Sequence, residues 1–133
     1  IKMKKLKGYI FSRNFYGERV PQHIQNKILR EYCNNNNIEY LLSATEYTIK
    51  DSSLMLSKLI KEMREIDGFI FYSIFQLPTN SEKRKKVYKK MINSKKEIHF
   101  AVEDMKLEKK SDIKDIEQIL HIKENLPSCL KSF

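Results

Sequence analysis

Apolar residues along this chain gather into short runs separated by polar stretches, and two kinds of run alternate. The segment from Lys5 to Phe11 ends in Tyr9-Ile10-Phe11 and stops at Ser12-Arg13, the pattern of a first strand. Pro21 suits the first turn of a helix, where its missing N–H costs nothing. Ile24, Ile28, Leu29, Tyr32 and Cys33 then recur at three- and four-residue spacing, which predicts an amphipathic helix ending near Asn34 in an asparagine run. Ile38 to Ser43 reads as a short buried strand. Asp51 or Ser52 caps a second helix whose apolar face is Leu56, Leu59, Ile60 and Met63. Asp67-Gly68 turns the chain into Phe69-Ile70-Phe71-Tyr72, the strongest strand signal. Ser81, with Glu82 in the first turn, opens a third helix through Val87, Tyr88, Met91 and Ile92 to Ser94. Ile98 to Val102 is a fourth strand. Ser111-Asp112 caps a last helix carrying Ile113, Ile116, Ile119, Leu120 and Ile122 and ending before Pro127, with 127–133 as a tail.

Strand and helix thus alternate four times. The order predicts an α/β fold: one small doubly wound domain over 1–133, core about 5–126, with a mainly parallel four-stranded sheet and helices on both faces. A chain of 133 residues suffices for one domain with a real core.

In such a sheet the groups that follow the strands meet on one edge, where strand order reverses. That edge collects Ser12, Arg13, Arg19, Gln22, Gln25 and Asn26 from the first unit, Ser43, Thr45 and Glu46 from the second, and Tyr72, Ser73 and Gln76 from the third. Gln22, Asn26 and Arg30 share one helix face at i, i+4 and i+8. Guanidinium groups beside amides and hydroxyls suit an anionic, hydroxyl-rich ligand such as a sugar acid or sugar nucleotide. If a reaction occurs, Ser12, His23 and Glu46 are its candidate groups. Each residue also has a structural reading: Ser12 ends a strand, and Gln22 and Asn26 fit a solvated helix face. His99, inside an apolar strand, reads as a satisfied core histidine, and Glu103 follows the last strand toward the same edge.

Composition narrows the rest. Net charge is +9, which points toward nucleic acid or an acidic surface. The excess is mostly lysine on helix faces (Lys83, Lys85, Lys86, Lys89, Lys90), whereas specific phosphate and base readers lean on bidentate arginine. Nucleic acid is therefore not the expected partner. Cys33 and Cys129 are expected as free thiols, and the three histidines lack metal-ligand spacing, so neither metal nor cofactor is expected. No apolar run is long enough to span a bilayer and no leader pattern opens the chain, so the expected location is cytoplasmic. GxGxxG, GxxxxGK[ST] and GxSxG are all absent.

Gly8-Tyr9 with Ser12-Arg13, Arg19 with Pro21-Gln22 and Gln25-Asn26, Arg30 and Tyr32-Cys33 resemble the sporadic carbohydrate cluster protein family. Leu42 to Tyr47 and Asp67-Gly68 through Leu77-Pro78 continue the likeness, which covers about 7–106. Members are encoded among surface-polysaccharide and sugar-biosynthesis genes, so the resemblance implies a carbohydrate-related role without implying a reaction. Gly8-Tyr9, a serine after the first strand, Gln25 and Tyr32 also resemble the opening of the serine recombinase catalytic domain, with a similar order of elements. That family has an arginine before its nucleophilic serine where this chain has Phe11. It has an Asp-Arg-Leu-x-x-Arg stretch where this chain reads Phe75-Gln76-Leu77-Pro78-Thr79-Asn80. The architecture expected is recombinase-catalytic-domain-like or flavodoxin-like.

The leading expectation is a protein of cell-surface polysaccharide biosynthesis that binds or acts on an anionic sugar or sugar nucleotide at the sheet edge. The alternatives are a non-catalytic interaction module of a glycan-biosynthesis assembly and a degenerate recombinase-like DNA-binding domain. The apolar stripe of the last helix, extended by Leu126, Leu130 and Phe133, fits packing on the sheet or a homo-oligomer contact.

Overall fold

The structure, a computed structural model, describes residues 3–12, 20–46 and 54–130, and their side chains except those of 54, 55, 57 and 123–130. Strands β1 (Lys5–Phe11), β2 (Glu39–Glu46), β3 (Gly68–Phe71), β4 (Glu97–Phe100) and β5 (Met105–Leu107) form one sheet in the order β2-β1-β3-β4-β5. The first three pairings of that order are parallel and β4–β5 is antiparallel. Helices α1 (Gln22–Asn35), α2 (Leu54–Lys61), α3 (Ser81–Asn93) and α4 (Lys110–Leu130) complete the fold.

Side-chain alternation along the strands divides the interior in two. On one face Leu6, Ile10 and Ile70 pack against Leu29 and Cys33 of α1. On the other, Tyr9, Phe11, Phe69, Phe71, Ile98 and Phe100 pack against Leu56 and Leu59 of α2, Val87, Tyr88 and Met91 of α3, and Ile116 and Leu120 of α4. One helix thus covers one face and three cover the other, the two-sided arrangement the alternating pattern predicts.

The sheet has five strands rather than the expected four. The apolar run read as a strand to Val102 ends at Phe100, and Ala101–Asp104 form a turn into β5. Asp104 takes the left-handed conformation at φ 52°, which a short polar side chain tolerates. A three-residue Met-Lys-Leu strand carries almost no periodic signal. The N-cap of α3 is Asn80, whose side chain accepts from the Lys83 amide at 3.0 Å, and not Ser81. Helix α4 continues past Pro127 to Leu130. In the last helix Ile116 and Leu120 belong to the sheet core, Ile113 and Ile119 lie against it, and Ile122 is 58% exposed.

Two glycines permit close approaches. At Gly8 a Cβ would stand 2.4 Å from the Tyr40 hydroxyl oxygen, so the absent side chain leaves room for that ring over β1. At Gly68 a Cβ would stand 1.8 Å from the Glu97 carbonyl oxygen, and backbone has no room to yield.

The edge formed by the strands' starts is closed by a polar chain. Lys4 Nζ donates to both oxygens of Glu97 at 3.0 and 3.1 Å. Glu97 Oε1 lies 2.7 Å from His99 Nε2, and His99 Nδ1 lies 2.8 Å from the Tyr32 hydroxyl. His99 is the satisfied core histidine expected. Its hydrogen bond, more than that of Lys4, holds the Glu97 carboxyl down at about 2 against the opposing effect of burial. Burial pushes the Tyr32 phenol up to about 12.

Two outcomes follow from this packing. Gly68→Ala should cost about 2–3 kcal/mol in urea denaturation because the added methyl meets backbone; an unchanged midpoint would contradict the close approach. The native Glu97 carboxyl holds its proton less tightly than the unfolded chain does. The stability it contributes is therefore complete above about pH 4.5 and is lost as pH falls toward about 2. Glu97→Gln should accordingly start less stable at neutral pH and show a shallower decline across that window.

Candidate functional site

Strand order reverses between β1 and β3, since the chain leaves β1 toward β2 on one side and places β3 on the other. The β1–β3 ladder ends at the pair Tyr9 and Phe71. Strand β1 runs on, paired to β2 as far as Phe11 and Glu46, while β3 bends away at Tyr72 and Ser73 into a 3-10 turn, Ile74–Gln76. Diverging strands expose backbone donors and acceptors that burial makes costly to leave unpaired.

Two glutamine side chains occupy this opening. Gln25, fully buried in the first turns of α1, accepts from the Phe11 amide at 3.0 Å and donates to the Phe11 and Val20 carbonyls, both at 2.8 Å. Its Oε1 also accepts from Gln76 Nε2 at 2.8 Å. Gln76, buried too, accepts through Oε1 from the amides of Tyr72 at 3.0 Å and Ser73 at 3.4 Å. A glutamine amide offers two donors and two acceptor lone pairs, and Gln25 uses all four inside the protein. It mimics a strand residue beside Phe11 where β3 no longer runs.

The neighbouring strand ends are tied in the same manner. Buried Glu46 accepts through Oε2 from the Tyr9 hydroxyl at 2.8 Å and from the Leu56 amide at 3.2 Å, which joins β1, β2 and α2. Glu103, in the turn after β4, accepts from the Ser73 hydroxyl at 2.7 Å and the Ile74 amide at 3.0 Å. Farther out, buried Arg84 of α3 forms a bidentate pair with Glu117 of α4 and donates to the carbonyls of Pro78 and Thr79. The Glu117 carboxylate holds the Arg84 guanidinium above its ordinary range, and Arg84 holds the Glu117 carboxyl below its own.

The set chosen from sequence therefore separates. Gln25, Glu46, Ser73 and Gln76 do converge on the strand-end edge, but their side chains are buried and engaged in ties that shape it. Ser12 is half-buried, and its amide and hydroxyl both donate to the Glu46 carbonyl, at 3.0 and 3.1 Å. The Ser12 hydroxyl is directed to the Glu46 carbonyl, and His23 stands exposed on α1. Thr45 and Tyr72 are half-buried at the ends of β2 and β3, and Gln22 is exposed at the start of α1. No described side chain caps that helix start. Asn26 accepts from the Tyr40 and Ser43 hydroxyls at 2.7 and 2.8 Å, and exposed Arg30 lies over the Tyr40 ring at 5.9 Å. The Gln22–Asn26–Arg30 line thus follows the α1–β2 seam, with Asn26, Arg30, Tyr40 and Ser43 in one cluster. Arg13 and Arg19 lie outside the described residues.

Sequence reasoning passed over Tyr9 and Tyr40, whose rings fill core positions while their hydroxyls hold Glu46 and Asn26. The only signal for Tyr40 is Gly8, the gap in β1 that admits its ring. Among the described residues, no group of three His, Cys, Asp or Glu side chains is placed to hold a metal ion, and no helix is long and apolar enough to cross a membrane. Cys33 is a buried free thiol.

Among solved structures, the crystal structure of the N-terminal catalytic domain of TP901-1 integrase is similar to this one. The TM-score is 0.64 and the identity 16%, over 92% of this chain and 98% of that one. The fold resembles that of a recombinase catalytic domain. No protein-family model matches the chain, and no curated protein matches it.

Removing the Tyr9 hydroxyl leaves buried Glu46 with one donor fewer. Tyr9→Phe should cost about 1–2 kcal/mol in urea denaturation, and a variant as stable as the parent would show that this bond contributes nothing.

Proposed function

We propose that this chain binds an anionic sugar or sugar nucleotide in the crevice where β1 and β3 part, as a carbohydrate-related protein of cell-surface polysaccharide biosynthesis. The observation that carries the reading is the parting of β1 and β3 beyond Tyr9 and Phe71, where the buried Gln25–Gln76 pair joins the two strand ends and Ser12 and Thr45 stand half-buried beside it. A pair whose polar groups are already satisfied does not rearrange when a ligand arrives, so the neighbouring groups stay oriented. Gln25 holds Phe11 and Val20, which flank the stretch of sequence that carries Arg13 and Arg19. Two guanidinium groups on such a segment suit a carboxylate or phosphate, and hydroxyl and amide groups suit the sugar ring. The start of α1, which no described side chain caps, favours negative charge at the same edge.

Recombinase chemistry is the reading the fold alone would suggest, and Phe11 opposes it. Where the recombinase family has an arginine, the Phe11 side chain is buried in the core with its ring 5.5 Å from that of Tyr9. Position 11 therefore supplies no cation of the kind that would hold a scissile phosphate or stabilise a pentavalent transition state.

A thermal-shift series tests the proposal, with sugar nucleotides, sialic-type sugar acids and short duplex DNA as probes and Arg13→Ala beside the parent chain. A probe present at about a hundred times its Kd contributes about 2.7 kcal/mol, a rise of about 5 °C or more for a domain of this size. One sugar class should give that rise, and Arg13→Ala should lose it while keeping its own melting temperature. No rise with any sugar would refute the proposal. A rise with DNA alone, falling steeply with salt, would replace it with phosphate-backbone binding.

A further inference from the structure

We infer that the Gln25–Gln76 amide pair positions the two sides of the switch point as one unit, so that Phe11 with Val20 on one side and Tyr72–Gln76 on the other cannot shift independently. The inference rests on the crevice reading above for its functional meaning, although the mechanical claim stands apart from any ligand. On the first side Gln25 is bound to Phe11 N, Phe11 O and Val20 O. Gln76 is bound to the backbone of the second at Tyr72 and Ser73. One hydrogen bond of 2.8 Å, Gln76 Nε2 to Gln25 Oε1, joins the two halves.

Several features make this pair a coupling element rather than ordinary filling. Gln25 and Gln76 are 0% and 1% exposed, where an apolar side chain would fill the space but remove these partners from the Phe11, Val20, Tyr72 and Ser73 backbone. Each oxygen accepts two hydrogen bonds, and Gln25 has no capacity left for an outside partner. If either amide moves, the other loses a partner while buried, which is costlier than losing the same bond at the surface. Gln76 is also the reciprocal residue of a capping box with Ser73, and Ser73 is bound to Glu103. The setting at Phe11 is thereby carried through Gln76 and Ser73 to the turn after β4. Both glutamines act as positioning residues and touch no ligand themselves.

Hydrogen exchange read amide by amide separates coupling between the two sides from a general loss of stability. The Phe11 amide donates to Gln25, and the Tyr72 and Ser73 amides donate to Gln76, so each half carries its own reporter. Gln25→Leu should speed exchange at Tyr72 and Ser73 about tenfold, and Gln76→Leu should do so at Phe11, although neither residue bonds the amide being read. The double variant should exceed neither single variant by much, as expected of a shared element. Leu29→Ala, a core change one turn along α1, serves as the control at comparable loss of melting temperature. If a leucine variant does not fold, Gln25→Asn and Gln76→Asn keep the amide, shorten its reach and carry the same comparison. Acceleration confined to each variant's own segment, or equal to that of Leu29→Ala, would overturn the inference.

A second arm uses whichever sugar acid or sugar nucleotide stabilises the parent chain. Both leucine variants should bind that probe about tenfold more weakly, while Leu29→Ala binds it as the parent does. Parent-level binding by the leucine variants would overturn the positioning role even if exchange is coupled. A parent chain that binds no probe would end the proposed function and leave the exchange comparison to decide the coupling by itself.

Discussion

Two parallel strands that separate at their ends leave backbone groups with no partner, and this constraint organises the upper half of the molecule. Strand β1 extends beyond Tyr9 while β3 turns aside after Phe71. Extending the sheet would close the crevice, and leaving the groups bare inside the protein would be expensive. Side-chain amides resolve the conflict because a glutamine carries the same donor and acceptor as a peptide unit. Gln25 pairs with Phe11 as a strand would, and Gln76 takes the amides that β3 presents as it bends. The opening that results is both polar and internally satisfied.

The same device recurs at each strand end with a different side chain. Glu46 joins the end of β2 to the first turns of α2 and to Tyr9 of β1, and Glu103 joins the turn after β4 to Ser73 and Ile74. Hydrogen bonds to carboxylates are stronger than neutral ones, and buried positions keep water from competing. The strand-start edge is closed by the Lys4–Glu97–His99–Tyr32 chain. Both edges of the sheet are therefore laced by polar side chains, while the middle is held by apolar packing on two faces. The difference lies in geometry: the lower chain ties the residue before β1 to β4, across β3, and on to α1, whereas the upper one bridges two neighbouring strands that part.

Fold and chemistry diverge here. The likeness to a recombinase catalytic domain extends over nearly the whole chain, at 16% identity, and it reflects the layered α/β architecture. At the end of β1 the chain places an aromatic ring that packs into the core. A fold supplies a crevice at its switch point, and the side chains at that crevice decide what enters.

The sequence by itself determined most of the architecture. The bounds of β1 and the helix after Pro21 could be read within a residue or two, because long periodic segments report which face is buried. The apolar run at Phe69–Phe71 marked the central β3 for the same reason. It also determined that Ser12, Gln25, Glu46 and Ser73 would gather at one edge, since parallel strands bring their C-terminal ends together. What only the tertiary structure decided was the part each plays once there. Gln25 and Gln22 look alike in sequence, but helix phase turns Gln25 toward the gap beside Phe11 and Gln22 toward solvent. Glu46 sits in a polar run, and burial depends on Tyr9 and Leu56, which are far from it along the chain. The β5 strand escaped notice because three residues and a left-handed aspartate give no period to read. Periodicity reports which way a residue faces relative to its own element; hydrogen-bond partners are set by contacts between elements, and those appear only when the sheet is assembled.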